Sequence, residues 1–203
     1  MPNHCTNTLK VHGAEYDVRN FARDHYRTPD DWSETASESL LRKENKKILD
    51  FSYSCPFPDH ECRENDHGWF DWCISNWGTK WGAYDIYPET FPDVLAICEG
   101  GGDDTLLPYQ FDTAWAPPLE WLANISPKYP DLTFTLEYYE SGCDFMGVFS
   151  IKDGDIQTNV STSISEALGE DFDWDKDDAY DQQNEKIMEF FTENAWLFIS
   201  AQV

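Results

Sequence analysis

Two cysteines and two histidines lie within one thirteen-residue stretch and offer the side chains that zinc prefers. The set is Cys55, His60, Cys62 and His67, and a structural zinc ion takes four such ligands in tetrahedral geometry. The spacing fits poorly, because the stretch has neither a Cys-x2-Cys nor a His-x3-His pair and Cys55 lies in a proline-rich turn. The sequence therefore favours ordinary loop residues here, and we predict no obligatory metal.

Tryptophans and neighbouring polar side chains form a second candidate site. A pocket lined by indole rings, with Lys80 and Asn76 as polar contacts, would suit an anion or a nucleotide. The same rings also suit a hydrophobic core, since large aromatic side chains dominate burial energetics and clusters of them form cores more often than sites. Both interpretations stay open, with core packing favoured. The pocket candidates are Trp72, Asn76, Trp77, Lys80, Trp81 and Trp115.

Carboxylates are concentrated near the C-terminus, with eleven acids and two bases between Glu166 and Glu193. A calcium-binding EF-hand needs Gly at loop position six and Glu at position twelve, but a loop counted from Asp171 has Lys176 and Gln182 there. The run is then either a solvated face or a face that binds a protein. The candidates for partner binding are Asp171, Asp173, Asp175, Asp177, Asp178 and Asp181.

Motifs for catalysis are missing from the sequence. It contains neither the Gly-x-Ser-x-Gly nucleophile elbow nor the Gly-x4-Gly-Lys-Ser/Thr phosphate loop. The glycines at 100–102 are followed by Asp103 and Asp104, whose charges would repel a phosphate. We therefore predict a protein that is not an enzyme and that uses no cofactor.

The charge of the chain limits its partners. The 203 residues carry a formal charge of −25, and residues 51–203 hold thirty acids against six bases. Such a surface repels nucleic-acid phosphates and anionic lipid headgroups, so we expect neither direct nucleic-acid binding nor membrane binding. The natural partners are cationic. Solubility, or adaptation to high salt, is the alternative explanation of the charge.

The sequence also indicates a folded protein of a reducing compartment. Aromatic residues make up 16% of the chain, whereas disordered chains are depleted in them. The N-terminus lacks the basic and apolar regions of a signal peptide, so we expect a cytoplasmic location and free thiols rather than disulfides.

Alternating apolar residues predict the strands that must position these groups. We predict strands near 5–12, 47–54, 132–139 and 145–151, with shorter ones at 84–87, 94–98 and 106–111. Pro108 places the last of these at an edge or a bulge.

Helical spacing predicts helices at 14–27, 69–77, 118–128 and 176–194. The third begins after two prolines, and Tyr180, Ile187 and Phe191 form the expected apolar stripe of the fourth. This element order favours an α+β fold with an antiparallel sheet. We expect residues 1–152 to form the main domain with a Trp-rich insertion, and 153–203 to form an acidic segment docked on it.

Three segments resemble a known family. They are residues 1–7, residues 71–85 with the block Asn-Trp-Gly-Thr-Lys-Trp, and residues 111–118. Together they resemble the YubB-like family of bacteriophage and conjugative-plasmid proteins over about residues 1–150. The resemblance implies a ferredoxin-like antiparallel sheet with helices on one face. His4 departs from the tryptophan usual there, and the acidic stretch after 166 matches no feature of that family.

These observations together predict a non-enzymatic inhibitor of a host defence complex. Mobile elements must survive host nucleases and CRISPR effectors, whose basic grooves hold nucleic acid. Carboxylates on a rigid fold imitate the phosphates of a duplex, which carries one charge per about 1.7 Å. We therefore expect the chain to bind a basic host protein or nucleoprotein effector in the host cytoplasm. The alternative is a protein that binds, sequesters or degrades a nucleotide through the tryptophan pocket.

Overall fold

An antiparallel sheet forms the centre of the molecule. The computed structural model describes residues 3–26, 48–58, 68–170 and 172–195. The strands of the described residues are β1 (His4–Gly13), β2 (Tyr84–Tyr87), β3 (Glu99–Gly101), β4 (Asp104–Ala114), β5 (Thr133–Glu140), β6 (Phe145–Lys152) and β7 (Asp155–Thr162). Their order across the sheet is β2-β4-β1-β5-β6-β7, and β3 pairs with the other end of β4.

Seven α-helices of the described residues surround this sheet. They are α1 (Glu15–Asp24), α2 (Phe51–Ser54), α3 (Gly68–Trp77), α4 (Phe91–Ala96), α5 (Leu119–Ile125), α6 (Ile164–Leu168) and α7 (Ala179–Ala195). A 3-10 turn at Ser126–Lys128 extends α5. Among the described residues, none of these helices combines the length and the apolar character needed to cross a bilayer.

The sheet buries both of its faces, through two separate hydrophobic clusters. The main cluster joins alternate residues of β1, such as Leu9 and Val11, to α1, α3 and α5. The second cluster contains Val148 of β6 and Ile187 of α7. Because successive strand residues point to opposite faces, Val148 lies on the face opposite to Phe149 of the main cluster. The core helices thus cover one face, as expected, and α6 and α7 add a layer on the other.

The predicted α+β architecture with an antiparallel sheet is confirmed. The strands expected at 5–12, 84–87, 106–111, 132–139 and 145–151 are present, as are the four helices, although the helix expected at 14–27 ends at Asp24 and the last begins only at Ala179. The sheet also continues past the proposed division at 152, because β7 follows a two-residue turn and pairs along β6.

Two predicted strands are wrong, because in each case a polar side chain caps a short helix instead. Within 47–54, Asp50 accepts a hydrogen bond at 2.9 Å from the backbone N–H of Ser52, and α2 begins at the next residue. Within 94–98, most residues belong to α4, whose N-cap Thr90 accepts from the N–H of Asp93. Each cap satisfies a donor that the first helical turn leaves free.

Pro108, which has no backbone N–H to donate, lies at a point of β4 where one side has no paired strand. On the outer side of β4, β2 pairs with residues up to Gln110 and β3 pairs with residues up to Leu106. Pro108 falls between these two partners, and β1 pairs with it on the inner side. The local edge expected from the proline is therefore present in the structure.

A glycine pair in the β3–β4 hairpin gives a stability prediction with its own control. Gly100 has φ +80°, and a Cβ built there would lie 2.1 Å from the backbone oxygen of Asp104, whereas a Cβ on Gly101 meets nothing within 4 Å. We expect Gly100→Ala to lower the free energy of unfolding by at least about 1–2 kcal/mol, the cost of left-handed backbone in a residue with a Cβ. Gly101→Ala should change it by less than about 0.5 kcal/mol. Urea unfolding of both variants tests this, and equal losses would contradict the hairpin geometry.

Candidate functional site

Of the first three members of the tryptophan set, Trp77 packs inside the protein, and Trp72 and Asn76 are partly buried beside it. Trp77 is 1% exposed, its Nε1 donates to the carbonyl of Cys55 at 3.0 Å, and its ring meets Trp72 edge-on at 5.3 Å. Asn76 donates to the carbonyl of Trp72, and its own carbonyl accepts from Asn124 of α5. These contacts tie α3 to its neighbours and give Trp72, Asn76 and Trp77 structural roles.

Of the other three members of the set, Lys80 and Trp81 are partly buried and Trp115 is exposed. The ammonium of Lys80 lies 5.1 Å from the ring centroid of Trp81 and 6.0 Å from that of Trp69, so its charge is already stacked on indoles. Trp115 is 44% exposed at the end of β4. The Nε1 of Trp81 is buried without a hydrogen-bond partner among the described residues. A nucleotide pocket would thus have to be built from Lys80, Trp81 and Trp115.

The cysteine and histidine set is described only in part. His60, Cys62 and His67 lie outside the described residues, so the zinc hypothesis stays open. Cys55 itself is a buried free thiol, and burial raises its pKa and so disfavours the thiolate that binds metals. Within the part of the chain that the structure describes, no three His, Cys, Asp or Glu side chains are grouped so as to hold a metal ion.

The C-terminal helix carries two rows of residues on opposite sides. One row is buried and consists of Ala179, Gln183, Ile187 and Phe191. The other is exposed and consists of Asp181, Glu185, Glu189 and Glu193. Both rows repeat every four residues and they are offset by two, which is about 200° around a helix. Because the buried row docks on β5 and β6, the carboxylate row must point into solvent.

Further carboxylates precede α7 in an exposed turn. Asp173, Asp175, Asp177 and Asp178 are all exposed. Asp173 accepts from the N–H of Asp175 at 3.1 Å, and Asp178 accepts from the side chain of Gln182 at 2.8 Å, so local hydrogen bonds order the turn. We call this turn together with the row on α7 the acidic face. Its residues are Asp173, Asp175, Asp177, Asp178, Asp181, Glu185, Glu189 and Glu193.

The structure changes the set of candidate partner-binding residues. Asp171 lies outside the described residues. The sequence prediction also assigned Tyr180 to the apolar stripe of α7, which is wrong, because Tyr180 is 74% exposed. The predicted partner-binding set contained only aspartates and left out Glu185, Glu189 and Glu193. Their four-residue spacing, offset by two from the apolar row, was the signal that could have identified them.

An open groove lies beside the acidic face, between the end of α6 and the turn that leads to α7. Its volume is about 630 Å³, and Leu168, Phe172 and Trp174 line it together with Glu166 and Glu170. The chain reverses at Gly169, which ends α6 with φ +86° and whose carbonyl accepts from the N–H of Phe172 at 3.2 Å. Of the predicted site residues that the structure describes, none lines this groove.

Comparisons with known proteins support the fold. Residues 97–192 match a family model described as the ferredoxin-like domain in Api92-like protein. The crystal structure of a protein api92 from Yersinia pseudotuberculosis aligns with a TM-score of 0.50 at 10% sequence identity, covering 80% of this chain and 99% of that one. A search of curated proteins finds no match.

The comparisons confirm the ferredoxin-like domain. The finer assignment to a YubB-like family of phages and plasmids stays a prediction. The matched range includes α6 and most of α7, although the acidic stretch matched no feature of the resemblance seen in the sequence. It excludes β1, which lies between β4 and β5 at the centre of the sheet.

Proposed function

We propose that this protein is a non-enzymatic inhibitor whose acidic face binds a basic host protein or nucleoprotein effector in the host cytoplasm. The bound face would occupy a surface that otherwise holds nucleic acid. The observation that carries the proposal is the pair of opposed rows on α7, because a docked buried row holds the carboxylates of the exposed row in one fixed direction.

Charge density decides how closely the face can imitate DNA. Carboxylates four residues apart on a helix are separated by about 6 Å along its axis, whereas a duplex has one charge per about 1.7 Å. The row alone is thus roughly a quarter as dense as a duplex. With the aspartates of the preceding turn, residues 172–194 contain eight acids and two lysines, which gives a net charge of −6. The acidic face would therefore occupy a basic groove through its net charge, and its carboxylates need not match the phosphates one by one.

One lysine lies inside the row and reduces its charge. Lys186 donates to Glu189 at 2.6 Å, and this carboxylate raises the pKa of the lysine. A lysine is protonated at neutral pH even without this shift, so Lys186 lowers the net negative charge of α7. A partner that binds the row must compete with this exposed pair, which is a small cost because such pairs contribute little.

The nature of the partner is supported by two further arguments. Steering by an acidic surface accelerates encounter with a basic groove and is screened by salt. The segments that resemble proteins of phages and conjugative plasmids suggest a partner in host defence, such as a nuclease or a CRISPR effector.

Displacement of DNA from a basic peptide tests the binding function. A labelled DNA duplex bound to a ten-arginine peptide should be released by the wild-type protein in a fluorescence anisotropy assay. The row variant carries Asp181→Asn, Glu185→Gln, Glu189→Gln and Glu193→Gln. It should need at least about tenfold more protein, since four exposed ion pairs contribute roughly 1–4 kcal/mol together. Wild-type activity should weaken steeply between about 50 mM and about 200 mM salt.

A matched control separates this face from total charge. It neutralises four exposed acids away from α7 by the changes Glu89→Gln, Glu99→Gln, Asp103→Asn and Glu120→Gln. This variant should stay within about twofold of wild type. Equal losses in the two variants would mean that the total charge of the protein, and not the acidic face, displaces the DNA.

If only the row variant loses activity, a protein captured from host lysate by the wild type but not by the row variant is the effector.

A further inference from the structure

The groove beside the acidic face exposes aromatic surface in a strongly acidic region. Trp174 is 53% exposed, and its ring meets Phe172 edge-on with centroids 4.7 Å apart. Leaving a large indole in water forgoes the free energy of burial, and exposed aromatic patches mark interaction sites. Solubility alone explains acids at a surface, but it does not explain this tryptophan.

The floor of the groove is held by the folded core. Leu168 packs against the second cluster, which includes Ile164 of α6 and Ile187 of α7. Ser165 donates both its N–H and its hydroxyl to Asp144, which fixes the start of α6 to the turn between β5 and β6. An occupant would therefore meet a preformed surface on the α6 side of the groove, while Trp174 forms the other side from the turn that leads to α7.

The rim of the groove is anionic. Glu166 and Glu170 line it and are exposed, and Asp173 and Asp175 flank Trp174 in the chain. The hydroxyl of Thr162 donates to Glu166 at 3.0 Å, which leaves the other carboxylate oxygen for an occupant. The described residues that line the groove include no lysine or arginine. The nearest base in the chain is Lys176, two residues beyond Trp174 and exposed.

We propose that this groove anchors an arginine side chain of the basic partner, with its guanidinium stacked on Trp174 and paired with Glu166 or Glu170. The inference rests on the proposed function and names the chemistry of the contact. A cation over an indole face is attracted by the ring, and Arg is found there more often than Lys. The guanidinium is also more weakly hydrated than an ammonium and pairs with carboxylates through two hydrogen bonds.

Two peptides of equal charge test this assignment. Labelled ten-arginine and ten-lysine peptides are titrated with the full-length protein and followed by anisotropy. We expect wild type to bind the arginine peptide about three- to tenfold more tightly. Trp174→Ala should remove this preference by weakening the arginine peptide alone, and Trp174→Phe should keep part of it, since indole is the best ring for a cation. Glu166→Gln with Glu170→Gln should also reduce the preference.

The row variant separates this inference from the proposed function. Loss of the α7 carboxylates should weaken both peptides and leave the preference for arginine unchanged. If neither peptide binds wild type, the proposed function fails. If both bind but equally, or if Trp174→Ala weakens them equally, the proposed function stands and the arginine anchor is wrong.

The indole N–H signals of the nine tryptophans give a direct readout. The signal absent from Trp174→Phe belongs to Trp174 and should shift on addition of the arginine peptide. A signal that instead shifts with protein concentration would show that a second copy of the chain covers the groove, and this would overturn the proposal.

Discussion

Replacing Trp77 with alanine is expected to lower the free energy of unfolding by about 3–5 kcal/mol, the usual cost of removing a buried tryptophan. The ring is 1% exposed and meets Trp72 and Phe51 edge-on. Its loss would also leave the carbonyl of Cys55 without the indole donor that it accepts from at 3.0 Å. The midpoint of urea unfolding measures the change.

Two further substitutions serve as controls for the cost of Trp77→Ala. Trp77→Phe keeps an aromatic ring but loses the indole N–H, so its cost should be intermediate. Trp174→Ala removes the same side chain from an exposed position and should cost less than about 1 kcal/mol. Equal costs for Trp77→Ala and Trp174→Ala would contradict the burial of Trp77. They would reopen the interpretation of the tryptophan set as a pocket.

The sheet was predictable wherever one strand face is buried. In β1 and in the first half of β5 the buried residues alternate with partly exposed ones, and β5 reads Phe134 and Leu136 against Thr133 and Thr135. Two-residue periodicity is then visible in the sequence. Strand β7 was missed because its alternate apolar residues, Ile156 and Val160, are exposed at the edge of the sheet among Asp, Gln and Asn.

The two wrong strands show the limit of such patterns. Short apolar runs such as those at 47–54 and 94–98 occur in buried strands and in buried helices alike. What decides between them is a helix cap. Asp50, inside the first run, accepts from the N–H of Ser52, and Thr90, four residues before the second, accepts from the N–H of Asp93. A polar residue in or shortly before a short apolar run therefore deserves equal weight with the run itself.

The candidate site was predictable in its charge but not in its geometry. The acids of 166–193 are visible in the sequence. Their separation into a solvated row on α7 and an exposed turn depends on which side of the helix docks. The groove depends on the reversal at Gly169, which brings Phe172 and Trp174 beside the end of α6. No local pattern records that contact between segments.

The docking of α7 gives the last prediction. Ile187 is 2% exposed in the second cluster, whereas its neighbour Met188 is 60% exposed. Ile187→Ala should cost about 2–4 kcal/mol, since it removes buried methylene and methyl groups and leaves a cavity. Met188→Ala should cost less than about 0.5 kcal/mol. Amide hydrogen exchange should quicken along α7 in the first variant, while β1 stays protected.

Neither change alters the charge of the chain, so together they test whether the docking of α7 contributes to binding. If the acidic face works because α7 holds its carboxylates in one direction, Ile187→Ala should weaken the ten-arginine peptide several-fold and Met188→Ala should not. Binding like that of wild type, by an Ile187→Ala protein whose α7 exchanges faster, would contradict this. The carboxylates would then act as a flexible polyanion, and the ordered row on α7 would carry no part of the function.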